Sequence, residues 1–398
     1  MDSLKRWLSS LRSSSALHPL EQIAAESTSP GFGPEADPAT LPEPVQRRVL
    51  MITHNPVLQS QGGRTVREYF RWNQPDDLAA DYIDDVRWAS YGYANYTVVE
   101  RLVVDGYPVK ADGFRYDEAS YLEAWRTRRF HQPDAVDYLA LVREFRLVER
   151  VSDGEIDEVW LFGHPYGGYY ESIMAGPGAF WCNAPPLAGT EQAARRFVIM
   201  GFNFERGVGE MLEDLGHRVE SIIARALANV PDNANLWKRF IRYDQTHPGR
   251  AECGSVHFAP NSQRDYDWGN TRPVRSNCDD WYAYPELTGE RFRTVDCREW
   301  GGGDIRLHHL WWLRHLPHIA GVMDGIAHNW WEYVIDPQPG VSAPHSPSGM
   351  GVRAARRRSS RQVTMPRAAS AATMIIGSRM GWSWSKAPST VSQFSPRK

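Results

Sequence analysis

FVIMGFNFERGVGEMLEDLGHRVESIIARAL, residues Phe197 to Leu227, reads as a short buried strand, a polar elbow and a long helix. The run Phe197-Val198-Ile199-Met200 is apolar at every position, as a strand covered on both faces requires. The elbow Asn203-Phe204-Glu205-Arg206-Gly207 follows, and beyond it the apolar residues recur at helical spacing. Val208, Met211, Leu212, Leu215, Val219, Ile222 and Ile223 fall on one stripe; Glu210, Glu213, His217 and Glu220 fall opposite.

The same strand-then-loop pattern recurs upstream. Arg47 to Thr53 is an apolar run ending in His54-Asn55-Pro56, where the proline stops the ladder. Tyr96 to Val104 is rich in β-branched residues. Glu158 to Phe162 runs into Gly163-His164-Pro165-Tyr166-Gly167-Gly168-Tyr169-Tyr170-Glu171. Helical spacing is expected over residues 66–72, 78–88, 116–126, 134–150 and 304–315. Strands alternating with helices predict an α/β fold, a mostly parallel sheet with helices on both faces. Residues 245–303 break the alternation. They are rich in Gly, Asn, Asp, Pro, Arg and Trp, and are expected to form a long loop-rich cap.

The 398 residues divide on composition. Residues 1–46 are rich in Ser, Pro, Ala and Glu and read as a disordered leader. Residues 47–336 are expected to be a single α/β domain. Residues 337–398 hold eight Arg and two Lys but no Asp or Glu, a charge of +10; as the whole chain is −3, the rest carries −13. This end reads as a disordered basic tail or a translation artefact. It lacks the aromatic–basic interleaving of a specific nucleic-acid binder. No stretch reaches the roughly 18 apolar residues of a membrane span, and the N-terminus lacks the apolar core of a signal peptide, so a cytoplasmic location is the default.

Three groups of residues could carry chemistry. The loops after parallel strands converge on one sheet edge. They would bring His54 and Asn55 together with His164 and Glu171 and with Asn203, Glu205 and Arg206. Two carboxylates beside His and Arg can perform general acid–base work, so Glu205, Glu171, His164 and Arg206 are the expected catalytic set. The bland alternative is a helix-end charge at Glu205. On the helix, Glu213, His217 and Glu220 stand at i, i+4 and i, i+3 and could share one divalent cation, or simply form a solvated polar face. The cation reading gains only if the loop block covers that face. That block offers His257, Asp265 and Asp267 as substrate-binding groups, with His54, Asn55 and Asn203 from the strand ends. The last helix adds His308, His309 and His315.

Other chemistries are poorly served. SQGGRT, Ser60 to Thr65, lacks the residues of a phosphate loop. No GxSxG elbow is present. Cys182, Cys253, Cys278 and Cys297 form no CxxC pair, although Cys278 and Cys297 could be bridged. The 16 tryptophans suit either a large core or aromatic binding walls. The expected function is a hydrolase using paired carboxylates and His, with or without a divalent metal, on a polymeric substrate such as a polysaccharide. The alternative is a non-catalytic module that binds carbohydrate or protein through its aromatics.

Overall fold

The structure is a computed structural model, and it describes residues 36–338. Most of the leader and nearly all of the basic tail lie outside the described residues, so the expectations for both rest on sequence. Five strands form the main sheet: β1 (Val45–His54), β2 (Ala94–Val104), β3 (Glu158–Gly163), β4 (Ser172–Ala175) and β5 (Phe197–Asn203). Their order is β2-β1-β3-β5-β4. All neighbours run parallel except β4, which pairs antiparallel with β5 at the edge. The molecule is therefore α/β, as the alternation implied. Edge strand β4 was not expected, because its four residues directly follow a Gly- and Tyr-rich loop.

Alternation along the strands makes two cores. Met51, Trp160, Phe162, Met200 and Phe202 face one side of the sheet. Leu50, Ile52, Val159, Leu161 and Ile199 face the other. The first core is covered by helices α1 (Pro75–Ala89), α2 (Val208–Ala226) and α3 (Ile305–Arg314). The second is covered by two short helices, Tyr138–Glu144 and Leu147–Ser152. The single helix expected over residues 134–150 is broken between them by Arg146, whose φ of 52° is left-handed. Three small antiparallel pairs complete the strands among the described residues: Val57–Leu58 with Arg64–Thr65, Val274–Ser276 with Arg293–Val295, and His318–Met323 with Ile326–Asn329.

The apolar stripe of α2 is buried as its periodicity implied. Arg218 leaves the same helix to meet Glu158 of β3 at 2.8 Å, and both are buried. Tyr96 and Trp160 also donate to the Glu158 carboxylate, and Arg218 donates to the Val334 carbonyl at 2.7 Å. This buried ion pair fixes α2 against the sheet. Breaking such a pair typically costs about 3–5 kcal/mol.

Residues 245–303 do form a loop-rich region, with Trp268, Trp281 and Trp300 buried inside it. It lies against α2 and α3. Gly216 of α2 makes that approach: a Cβ there would stand 2.6 Å from Val256. Trp312 of α3 donates its indole N–H to the Gly254 carbonyl at 3.0 Å. Trp160, Trp311, Trp312, Trp330 and Trp331 are likewise buried, so most tryptophans here build core, whereas Trp181 is 58% exposed. All four cysteines are buried free thiols, and Cys278 and Cys297 are not bridged. No helix among the described residues is long and apolar enough to cross a membrane.

Candidate metal centre

The carboxyl edge of the sheet is plugged. Gly163 and Gly201, at the ends of β3 and β5, leave room for Tyr169; a Cβ at either would stand 2.6 or 2.5 Å from it. The Tyr169 hydroxyl meets Nδ1 of His54 at 2.6 Å. His164 is buried between Tyr107 and Tyr121, with ring centroids 5.1 and 4.6 Å away. Burial lowers the pKa of His54 to about 4, with Arg115 adding to it, and that of His164 to about 3. Both rings are neutral packing elements in this state.

The other strand-end residues serve the loops. Asn55 accepts from the Arg67 N–H at 3.1 Å, and Asn203 from the Glu205 N–H at 2.9 Å. Glu205 pairs with Arg206 at 3.5 Å, and Arg206 also reaches Glu210 at 3.5 Å. Among the described residues, no hydrogen bond or ion pair joins Glu205, Glu171 and His164 to one another.

Glu171 instead joins the helix group. It closes the loop before β4 and lies 3.9 Å from Nε2 of His217. The Asn183 side-chain amide donates to the same carboxylate oxygen. On α2, Glu213 Oε1 is 4.0 Å from His217 Nε2, and Glu220 Oε2 is 3.2 Å from His217 Nδ1. The loop block covers this face. Val256 donates its N–H to Glu220 at 3.2 Å, and His257 enters beside it. His257 Nε2 stands 3.0 Å from His217 Nε2 and 3.0 Å from Glu213 Oε1, while its Nδ1 is 3.0 Å from Asp265. Asp267 shapes that loop, accepting from the Gln263 N–H at 3.0 Å and the Asn270 amide at 2.8 Å.

The ligand atoms of Glu213, His217 and His257 all lie within 4.8 Å of one another. Ligands of a tetrahedral zinc, with bonds of about 2.0–2.1 Å, stand roughly 3.3 Å apart. The observed spacings bracket that value. Burial alone would lower His217; the hydrogen bond and charge of Glu220, with Glu171 and Glu213, outweigh it and raise its pKa to about 9. Burial raises Glu171 against the pull of His217. For Glu213, burial pushes upward, but the hydrogen bond from His257 and the nearby imidazoles prevail and lower it.

Sequence reasoning kept Glu171 apart from Glu213, His217 and Glu220, and set His257 and Asp265 in a third group. The structure places all six together. Three further neighbours were missed: Asn183, Tyr266 and Asp214, whose carboxyl is raised by burial and by Glu171 and Glu213. The Tyr266 ring packs on His257 at 4.3 Å, and burial and the Glu213 carboxylate raise the pKa of its hydroxyl. The RDYDWGN segment shows acidic residues on either side of Tyr266, but nothing in it encodes the contact.

Two other features compete less well. Cys278, Asp279 and His315 also converge. There Arg293 grips both oxygens of Asp279, at 2.6 and 3.0 Å, so a guanidinium already serves that carboxylate. A surface depression of ≈ 450 Å³ is lined by Phe114, Tyr116, Phe130 and His131, with Glu123 and Arg129 at its polar positions. Its Glu123 is held by Arg126, and its His131 by Asp112 at 2.7 Å. Compared with known proteins, the chain matches no family model and shows no significant match to a curated protein.

Proposed function

We propose that the protein is a metal-dependent hydrolase, with a divalent cation held by Glu213, His217 and His257. One observation supports this reading above the rest. Each imidazole has a carboxylate on Nδ1: Glu220 on His217 and Asp265 on His257. Such a partner keeps the proton on Nδ1 and orients the ring for a metal at Nε2. The two Nε2 lone pairs then face each other across 3.0 Å, beside the Glu213 carboxylate. Electron-rich atoms gathered this closely repel unless a cation stands among them.

Two imidazoles and one carboxylate form a catalytic zinc set that leaves a position open. Held there, a cation would supply polarisation of a substrate carbonyl and a water made nucleophilic near neutral pH. Glu171, oriented by Asn183 and 37% exposed at its side chain, is placed to accept and return the proton. Trp181 and Tyr266 are exposed; Trp181 is two residues from Asn183, and Tyr266 packs on His257. Such aromatic faces suit a polymeric substrate such as a polysaccharide, whose acyl substituents would present the carbonyl.

A second reading replaces the cation with a proton. His217, with its raised pKa, would be doubly protonated and donate from Nε2 to His257. The cluster would then be a structural knot in a binding module. Hydrolysis of a chromogenic acetyl ester separates the two. Activity should vanish on chelation and return with zinc. Glu171→Gln should retain zinc and lose about 100-fold or more in kcat. Turnover indifferent to both treatments sinks the metal-dependent reading, and no turnover at all sinks the hydrolase reading.

A further inference from the structure

The helix Glu118–Thr127 turns Ser120, Glu123 and Thr127, at i, i+3 and i+7, to one side. Arg128 ends the helix with a left-handed φ of 58°, and the chain returns so that Arg129, Phe130 and His131 line the same depression. Phe114 and Tyr116 complete it. Its volume of ≈ 450 Å³ is that of a small-molecule site, for which about 300–1,000 Å³ is usual. No residue of the metal centre lines it. Its rings are fixed by one another. Phe114 stacks on His131 with centroids 3.8 Å apart and meets Tyr116 edge-on at 4.8 Å, while Phe130 lies face to face on Tyr166. Aromatic walls held in this way need little reordering when a ligand ring packs on them.

The polar groups divide into spent and unspent. Both oxygens of Glu123 accept from Arg126, at 2.9 and 2.6 Å, and His131 is held by Asp112 at 2.7 Å. Basic side chains after a helix end commonly offset its dipole. Arg126 and Arg128 stand there already, the second over the Trp125 ring at 4.2 Å. Arg129 is in neither kind of contact: its guanidinium has no hydrogen bond or ion pair among the described residues. Tyr116 is buried, and its hydroxyl oxygen accepts the His131 N–H at 2.6 Å. The phenol proton has no acceptor among the described residues. Two donors, one of them charged, therefore border an aromatic hollow whose only carboxylate is already paired.

We propose that this depression binds a planar aromatic carboxylate, with Arg129 and the Tyr116 hydroxyl on the carboxylate and Phe114 and Phe130 against the ring. A guanidinium fits the two oxygens of a carboxylate with two parallel N–H donors. A single negative charge matches the one unpaired guanidinium, whereas a phosphate dianion would carry a second charge toward Glu123. The site is independent of the metal reading and stands whether or not Glu213, His217 and His257 hold a cation.

The test is a calorimetric titration of the full-length protein with 2-naphthoate. Saturable binding is expected, with equal affinity in wild type and His257→Ala. Arg129→Gln should weaken it about tenfold or more, and Tyr116→Phe about fivefold, the worth of a charged and of a neutral hydrogen bond. The uncharged 2-naphthamide should bind at least tenfold more weakly than the naphthoate, and alike to wild type and Arg129→Gln. No saturable binding at millimolar naphthoate overturns the proposal, as does wild-type affinity in Arg129→Gln. Loss of binding in His257→Ala would place the carboxylate at the metal centre and overturn it too. Phenyl phosphate binding more tightly than naphthoate would overturn the carboxylate assignment, and cyclohexanecarboxylate binding as tightly would overturn the aromatic one.

Discussion

At the scale of single residues, Asp265 decides what His257 can offer. Its carboxylate lies 3.0 Å from Nδ1, so the ring presents Nε2 to His217 and Glu213. Asp265→Asn retains the shape but not the charge. Removing such a supporting partner commonly lowers metal affinity by about 10–100-fold. Chelator competition should show a loss in that range with an unchanged circular-dichroism spectrum; wild-type affinity would remove Asp265 from the centre. Glu213, His217 and Glu220 were legible in sequence because helical spacing fixes which side chains neighbour one another. His257 was not assignable to them. It lies 40 residues beyond His217, and the two meet only because a loop without periodicity docks on the helix.

At the scale of elements, α2 carries the centre on one side and the sheet contact on the other. Its buried stripe and its strand partner β5 could be read directly, since both are repeating patterns. What could not be read was the use of its glycines. A Cβ at Gly209 would stand 2.6 Å from Ile305, and one at Gly216 the same distance from Val256. These residues let α3 and the His257 loop approach the helix backbone. In an ordinary helix, Gly→Ala would stabilise by about 1 kcal/mol. Gly216→Ala should instead destabilise by roughly 1–2 kcal/mol, because overpacking costs about 1–3 kcal/mol. It should also weaken zinc binding, since the residue displaced is the neighbour of His257. Denaturant melts and zinc titration check both effects. A stabilised variant with intact zinc affinity would show that this close approach does not position the loop.

At the scale of the whole molecule, a mostly parallel sheet has Tyr169 packed over two of its strands and its polar cluster on a helix face. Strand ends led sequence reasoning to His54 and His164 as site residues; Tyr169, admitted by two glycines, fills that space instead. A consequence is acid sensitivity. Burial lowers the pKa values of His54, His315 and His318 to about 4 and of His164 to about 3, against 6.5 when unfolded. Between those values the unfolded chain binds protons that the folded chain does not. Stability is therefore full above pH 6.5 and falls as pH drops toward 4, by up to about 1.4 kcal/mol per pH unit for each residue. Melting temperatures of chelator-stripped protein should decline steeply across that window; a flat profile would mean the four rings are already protonated when folded. The claim that joins these scales is that Glu213, His217 and His257 surround a metal ion, and elemental analysis of the desalted protein tests it most directly. One zinc, or a comparable divalent transition metal, per wild-type chain and near none in His257→Ala is the expected result. Wild-type protein that carries no such metal, and takes up none when zinc is offered at micromolar concentration, would contradict it.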